Sequence, residues 1–384
     1  EDGCGEPPAR VAVIGAGPVG LWTAVLLARA HAKLVRTSTH MRITRGASAP
    51  AIDVFESRSP DGGYGTRRVV LAISNASQDL LNGQLLAPHE LTSQHVFSPA
   101  CSINLVESLL REEFEKYVAN GFGNLHLGKA VEDPEALLQD HDVVFVAGGR
   151  HYPCEEWREP RGMQVRQSRP AQALILKYQT AAAGEVRPLN DVQALLSRFE
   201  AKEGPLLFIR PGATEQEGWL WVVGLTADIA ARAREELERR CDNKFSSFLE
   251  MWFELTRKSA TGGKTKRRVP PGLLAAFKLL DKELKPASVS ARVSEAAFWH
   301  SDTIVRRVEK ADGSIGWIVL VGDSACGRPF YLGSTLNGHF QDTPALCSAP
   351  WKQWSQAALP GAQPFKRYVE QYRRRTDATS FRGT

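Results

Sequence analysis

The chain opens on an unbroken apolar run, Val11 to Ile14, that passes through three glycines into a longer apolar stretch, Leu21 to Arg29. A short run without polar alternation fits a strand covered on both faces, and the longer stretch fits a buried helix. Runs of the first kind recur at Ala51 to Glu56, Leu125 to Gly128, Asp142 to Gly149 and Trp317 to Asp323. Between them, Ile103, Val106, Leu109, Leu110, Phe114 and Val118 share one helical face of Ser102 to Val118, suited to packing on a sheet. Arg67 to Ile73 reads as a short strand or turn, and the acidic stretch 132–141 as a surface helix and loop.

The pattern then changes. Ala173 to Gln179, Pro205 to Arg210 and Trp219 to Leu225 are strand-like segments joined by polar turns, which predicts a second sheet. Helices are expected over 227–240 and 244–256 and, after Pro270 and Pro271, over 272–284; Ser288 to His300 is expected to return to the second sheet. The apolar strand at 317–323 returns to the first layer, so the β-rich middle is an insertion and its border with the first layer a natural pocket.

The glycines after the first strand carry chemistry. Gly15 permits a tight turn, Gly17 lets the backbone approach a phosphate, and Gly20 lets helix and strand pack closely. N–H groups at the helix start then face the diphosphate charge. The strand before this motif and the helix after it supply the context that a bare GxGxxG lacks. The acidic residue expected about 20 positions on is delayed by residues 31–50, which predict an inserted hairpin or loop; Glu56, ending the next strand, is the candidate ribose ligand. Asp53, mid-strand, is read equally as a ligand or as a solvated or locally paired carboxylate. A carboxylate here favours the free 2′-hydroxyl of FAD or NAD over the 2′-phosphate of NADP.

Length and composition set bounds. The 384 residues, 43% apolar, can bury a core divided between two domains. No run approaches a membrane span, no signal-like segment is visible, and a soluble cytoplasmic protein is the expectation. The six cysteines have no metal-binding spacing and read as free thiols. A net charge of +5 comes partly from basic clusters at 257–258, 264–268 and 373–375, read as solvated loop and tail. No nucleic-acid motif and no internal repeat is present.

A second signal lies far from the first. Gly322-Asp323 ends the returning strand, and Gly333 and Asn337 follow at a Gly-rich helix entrance. An aspartate at the mouth of a strand accepts hydrogen bonds from sugar-like hydroxyls, and helix-start N–H groups can face an electron-accepting ring. An ADP-binding start joined to this distant partner fits an extended FAD better than NAD alone.

With these motifs in place, the chain resembles the FAD-dependent aromatic-hydroxylase superfamily, with a nearer likeness to MICAL-type monooxygenase domains. The likeness is carried by the Gly15–Gly20 motif, Arg67 to Leu71, Ser102 to Leu105, Asp142 to Arg150 and Gly322-Asp323; between residues 155 and 310 it is much weaker. It implies an α/β fold: a Rossmann-like FAD-binding domain from residues 1–154 and 313–384, an inserted β-rich substrate domain over 155–312, and C-terminal helices. It implies that Glu56 binds the adenosine ribose, that Arg67 or Arg68 lies near the diphosphate, that Asp323 holds the ribityl chain, and that Gly333 and Asn337 touch the flavin ring. Three positions depart from the family. Gly148 stands where an aspartate is common, although Arg150 remains able to approach a phosphate; Cys326 takes a histidine-like position, and Thr335 replaces a glycine.

The activity implied is an NAD(P)H-dependent monooxygenase: NADPH or NADH binds transiently as electron donor, and one oxygen atom of O2 enters an organic, possibly aromatic, substrate. A protein side chain is the substrate that the MICAL likeness would permit. A reductase, dehydrogenase or oxidase without oxygen insertion, and a flavin-bearing interaction module, stand as alternatives. Tyr178, Phe208, Trp219, Trp221, Phe298 and Trp299 are candidate pocket walls, with core packing the competing role. Tyr331, His300 and His151 are the candidates for substrate contact or proton transfer.

Overall fold

In this computed structural model, the described residues are 10–39, 52–61, 70–85, 100–168, 172–179, 206–211, 217–225, 227–239, 244, 246–247, 250, 271–283, 290–295, 298–327, 334–348 and 365–381. The chain starts with β1 (Val11–Ile14), α1 (Pro18–Thr39) and β2 (Ile52–Glu56). A small antiparallel pair follows, β3 (Val70–Ala72) and β4 (Ala100–Ser102), with α2 (Asn75–Leu85) between them. Next come α3 (Ile103–Ala119), β5 (Gly123–Leu127), β6 (Val143–Val146), the short α4 (Glu155–Arg158) and β7 (Val165–Ser168). The middle holds β8 (Gln172–Gln179), β9 (Leu206–Pro211), β10 (Glu217–Leu225), α5 (Ala227–Arg239), α6 (Pro271–Glu283) and β11 (Ser290–Glu295). The last elements are β12 (Phe298–Ser301), β13 (Val305–Glu309), β14 (Ile315–Leu320), β15 (Cys326–Gly327), α7 (Ser334–Asp342) and α8 (Lys366–Phe381).

The main sheet has the order β13-β14-β6-β1-β2-β5. Every pairing from β14 to β5 is parallel, and only the β13 edge is antiparallel. Central β1 and β6 are apolar at every position and buried throughout, as a sheet covered on both faces requires. One face is covered by α1, whose Leu21, Trp22, Ala24, Val25 and Leu27 are fully buried. The same core takes in Ile103, Val106, Leu110 and Phe114 of α3 and Phe365, Tyr368 and Tyr372 at the C-terminal helix.

A second, antiparallel sheet has the order β11-β8-β10-β9, and β12 joins β7 and β15 in a third. The structure corrects the expected path of Ser288 to His300 here. Only β11 reaches the second sheet, through β8; Phe298, Trp299 and His300 lie on β12, where His300 is in register with Cys326 just after the Gly322-Asp323 turn. The expected insertion at 31–50 also begins later, because α1 continues through Thr39. No glycine or proline interrupts residues 21–39, so the helix has nothing to stop it earlier. β13 joins the main sheet from a segment before residue 313. The helix expected over 244–256 lies largely outside the described residues, as do the basic clusters at 257–258 and 264–268. No described helix is long and apolar enough to cross a membrane.

Candidate functional site: two glycine turns that meet

The first turn is built by steric exclusion. Gly15 has φ +97°, and a Cβ there would stand 2.7 Å from the Ala147 carbonyl oxygen; a Cβ at Gly20 would collide with the Gly15 carbonyl oxygen. Gly17 differs. Among the described residues, its added Cβ would meet Glu107 Oε1 alone, at 3.9 Å, so they leave the outer side of this turn open. α1 starts at Pro18, whose missing N–H costs nothing at a helix start, and the first-turn amides have no partners within the helix. An open glycine shoulder beside unpaired helix-start amides fits the diphosphate of an ADP group.

Glu56 lies beside this turn. Its Oε2 accepts the Ala16 N–H at 2.8 Å, and Arg58 reaches both oxygens, Nε to Oε1 and Nη2 to Oε2, each at 3.0 Å. Burial pulls the Glu56 pKa upward, but the hydrogen bonds and charge of Arg58, with the Ala16 amide, outweigh it and lower the value, which keeps the carboxylate ionised. Arg58 Nη1 continues to Glu107 of α3, so one guanidinium links two carboxylates at the turn.

The second turn arrives from the far end of the chain. Gly322, at φ +62°, follows β14 after Val321, and a Cβ there would press on Val19 of α1 at 3.1 Å; the two glycine turns therefore lie side by side. Three carbonyls of the second turn are gripped from outside. Trp299 Nε1 donates to Asp323 O at 3.1 Å, Arg158 Nη1 to Ser324 O at 3.1 Å, and the Tyr372 hydroxyl to Ala325 O at 3.3 Å. Arg158 is buried and gives its remaining bonds to the Tyr152 and Pro153 carbonyls, which ties the segment after β6 to the same turn. Ser324 Oγ adds a bond to Gly149 O at 3.0 Å. The Asp323 carboxylate itself is half exposed, and buried His339 of α7 approaches it.

The other expected site residues divide. Arg150 stacks on the Trp299 ring, 4.8 Å from its centroid, beside the second turn. Asn337 joins α7 to the start of α2: its Oδ1 accepts the Ser74 N–H at 2.8 Å, and its carbonyl accepts the Ser77 hydroxyl. His151 is exposed, and His300 is half-buried on β12. Arg67, Arg68, Tyr331 and Gly333 lie outside the described residues. Gly148 is hemmed in: a Cβ there would sit 2.8 Å from Tyr152 Cγ, so that ring fills the space a side chain would need. The Tyr152 hydroxyl donates to Val131 O at 2.6 Å.

Among the candidate pocket walls, Tyr178 has no exposure and lies against Gly218, and Trp221 is buried with Ala173 and Ile175. These are core residues of the second sheet. Trp219 is partly buried on that core, and Phe208 is in register with Trp221. Asp53 is locally paired, accepting from Asn124 Nδ2 at 2.7 Å and meeting His141 Nε2 at 2.8 Å.

Arg58, Glu107, Trp299 as a backbone anchor, Arg158 and His339 were not singled out by sequence reasoning. One signal was available: Glu107 occupies the apolar face of α3, between Val106 and Leu110, and a carboxylate on a buried face demands a cation.

No protein-family model matches the chain, and no curated protein matches it. Among solved structures, the chain is similar to CmlS, a flavin-dependent halogenase, with TM-score 0.55 and 13% identity, over 96% of this chain and 62% of that one. It is also similar to CabE, an aromatic hydroxylase from angucycline biosynthesis, with TM-score 0.52 and 16% identity, over 96% of this chain and 66% of that one. The chain thus spans less than two thirds of either structure. The nearer likeness to MICAL-type domains rests on the sequence motifs alone. What these two similarities establish is the fold, an α/β architecture shared with these two structures.

Proposed function

We propose that the chain is an FAD-dependent monooxygenase that uses NADPH or NADH and molecular oxygen to oxygenate an organic substrate. The observation that supports this reading is the close approach of Gly322 to Val19, which brings the Gly322-Asp323 turn beside the Gly15–Gly20 turn. A cofactor extended across both turns matches that spacing of chemistry better than a mononucleotide does.

On this reading Gly15, Gly17, Gly20 and Glu56 hold the ADP half, with Arg67 or Arg68 near the diphosphate. Gly322 and Asp323 hold the ribityl chain, and Gly333 and Asn337 face the ring. The FAD part comprises residues 1–154 and 313–384 together with β13 of the main sheet, and the substrate part the rest of residues 155–312. FAD, once bound, supplies hydride acceptance and oxygen activation that side chains lack. The protein's part is orientation and exclusion of water. Arg150, fixed on Trp299, is placed to meet an anionic donor or substrate, and Tyr331, His300 and His151 are the groups to test for substrate contact. A small, possibly aromatic, substrate agrees with the name of CabE; a protein side chain is the alternative.

The deciding experiment is anaerobic reduction of FAD-loaded protein by NADPH and by NADH, with and without a metabolite library, followed by 18O2. Label in the product is the expected result. Donor consumption without label would leave a reductase or oxidase, and no donor consumption with a measured protein partner would leave an interaction module. Asp323→Ala should weaken FAD binding roughly 10- to 150-fold, the range of a hydrogen bond to a charged group. Folded D323A protein with wild-type FAD affinity would remove Asp323 from the site.

A further inference from the structure

His339 is 4% exposed, and its Nε2 makes no hydrogen bond among the described residues, yet this atom lies 3.3 Å from Asp323 Oδ1. A buried ring nitrogen without a hydrogen-bonding partner is uncommon in folded proteins and asks for a reason. Among the described residues, the carboxylate paired with it is the half-exposed Asp323.

The framework imposes this approach. Gly338, His339 and Phe340 present three successive carbonyls, each taken by a side chain from a different place. Arg375 Nη2 donates to Gly338 O at 3.2 Å, Thr343 Oγ1 to His339 O at 2.7 Å, and Trp22 Nε1 to Phe340 O at 3.1 Å. Arg375 also grips the Asp342 carboxylate, with Nε at 2.6 Å and Nη2 at 2.8 Å. The Asp323 turn is pinned independently by Trp299, Arg158 and Tyr372. These bonds fix the main chain of both elements, and the imidazole and the carboxylate approach each other from two held backbones.

We propose that His339 is a positioning residue for Asp323. Beside an acceptor-only carboxylate, an imidazole nitrogen is favourable as a donor or a cation and unfavourable as a lone pair. His339 therefore holds Oδ1 from the buried side and leaves Oδ2 and the outward lone pairs for ligand hydroxyls. The ligand class is a polyol chain attached to a nucleotide, which under the flavin reading is the ribityl part of FAD; the inference rests on that reading. Cys326 occupies the histidine-like position of the turn itself, and the imidazole arrives from α7 instead.

The test compares FAD with ADP, which lacks the polyol and ring. His339→Leu should lower FAD affinity about 5- to 30-fold, the range of one charge-assisted hydrogen bond, and leave ADP affinity within about 2-fold. His339→Gln, whose amide nitrogen can reach the same carboxylate, should restore most of the loss. In a D323A background the H339L substitution should have no further effect on FAD. His339→Asn, polar but too short to reach Asp323, carries the same comparison if H339L does not fold. Unchanged FAD affinity in H339L, equal losses for FAD and ADP, or additive losses with D323A each overturn the proposal while leaving FAD binding intact. Wild-type protein that binds ADP but not FAD, or neither, overturns the flavin reading and this proposal with it.

Discussion

Arg58 Nη1 lies 3.3 Å from both carboxylate oxygens of Glu107, a side chain with no solvent exposure. Because the same guanidinium holds Glu56, its removal weakens compensation of two carboxylates beside the turn expected to take a diphosphate. Arg58→Gln should destabilise the fold by about 2 to 4 kcal/mol, toward the cost of breaking a buried ion pair, and should weaken ADP binding. Replacing the buried acid as well, in R58Q/E107Q, should recover part of both losses. Denaturant midpoints and ADP titrations read this out; a double variant no better than R58Q would show that charge compensation is not the role of the pair.

Gly148 stands where the resembled family commonly carries an aspartate, and the Tyr152 ring occupies the space that such a side chain needs. Gly148→Ala should cost roughly 1 to 3 kcal/mol through overpacking. In a Tyr152→Ala background, itself destabilised, the added cost of G148A should shrink to less than half, since the obstructing ring is gone. Additive losses in the double variant would mean that the backbone at 148, and not the ring, resists the methyl group.

Acid should act in two stages. Burial lowers the His31 pKa from 6.5 to about 4, so its neutral form is the folded form. The stability it contributes is complete above 6.5 and is lost as pH falls toward 4. Burial raises the Asp53 pKa, but hydrogen bonds from His141 and Asn124, the His141 charge and the His126 contact outweigh it and hold the value at about 2. Its contribution, on the order of 2 kcal/mol, is complete above the ordinary carboxylate value and is lost below it. Unfolding free energies measured from pH 8 to pH 2 should flatten between 6.5 and 4 for His31→Leu and between 3.8 and 2 for Asp53→Asn. Identical pH profiles in wild type and both variants would refute the assignment.

Tyr372 donates to the Ser301 carbonyl at 2.7 Å and to Ala325 at 3.3 Å, joining α8 to β12 and to the second glycine turn. Tyr372→Phe keeps the ring and removes the proton shared between these carbonyls, at an expected cost of about 1 to 2 kcal/mol, since Ala325 O keeps the Ser301 N–H at 2.7 Å. Hydrogen exchange should quicken at Ala325 and Cys326 before it does in β1; protection lost evenly across the main sheet would contradict a local anchoring role.

The central strands of the main sheet were legible because they are buried on both faces and so read as unbroken apolar runs, as Val143 to Val146 and Ile318 to Leu320 do, whereas edge strand β13, with Arg306, Arg307 and Glu309, was missed. The glycine turns were legible for a related reason: steric exclusion at Gly15 and Gly20 leaves no other residue possible, so the motif is written in composition. α2 was missed because Asn75 to Leu85 has weak apolar periodicity, and β12 was misplaced because Phe298 to Ser301 is too short for its pattern to choose between sheets. The supports of the second turn were hidden more deeply. Trp299, Arg158 and Tyr372 act on backbone carbonyls, and a carbonyl acceptor leaves no mark on the sequence that presents it. His339 meets Asp323 only through the packing of α7, a relation across the fold that local pattern does not encode.

The placement of β14 has a consequence for how the chain is made. β6 lies between β1 and β14, so until Ile315 to Leu320 leave the ribosome one edge of β6 has no partner. That edge is four consecutive apolar residues whose backbone donors and acceptors are ready to pair with any extended strand. More than 160 residues of the chain, from Val146 to Ile315, are translated during that interval. At about 5 to 20 residues per second, the nascent protein carries an open, aggregation-prone edge for roughly 8 to 35 seconds, the interval in which a holding chaperone has that edge to cover.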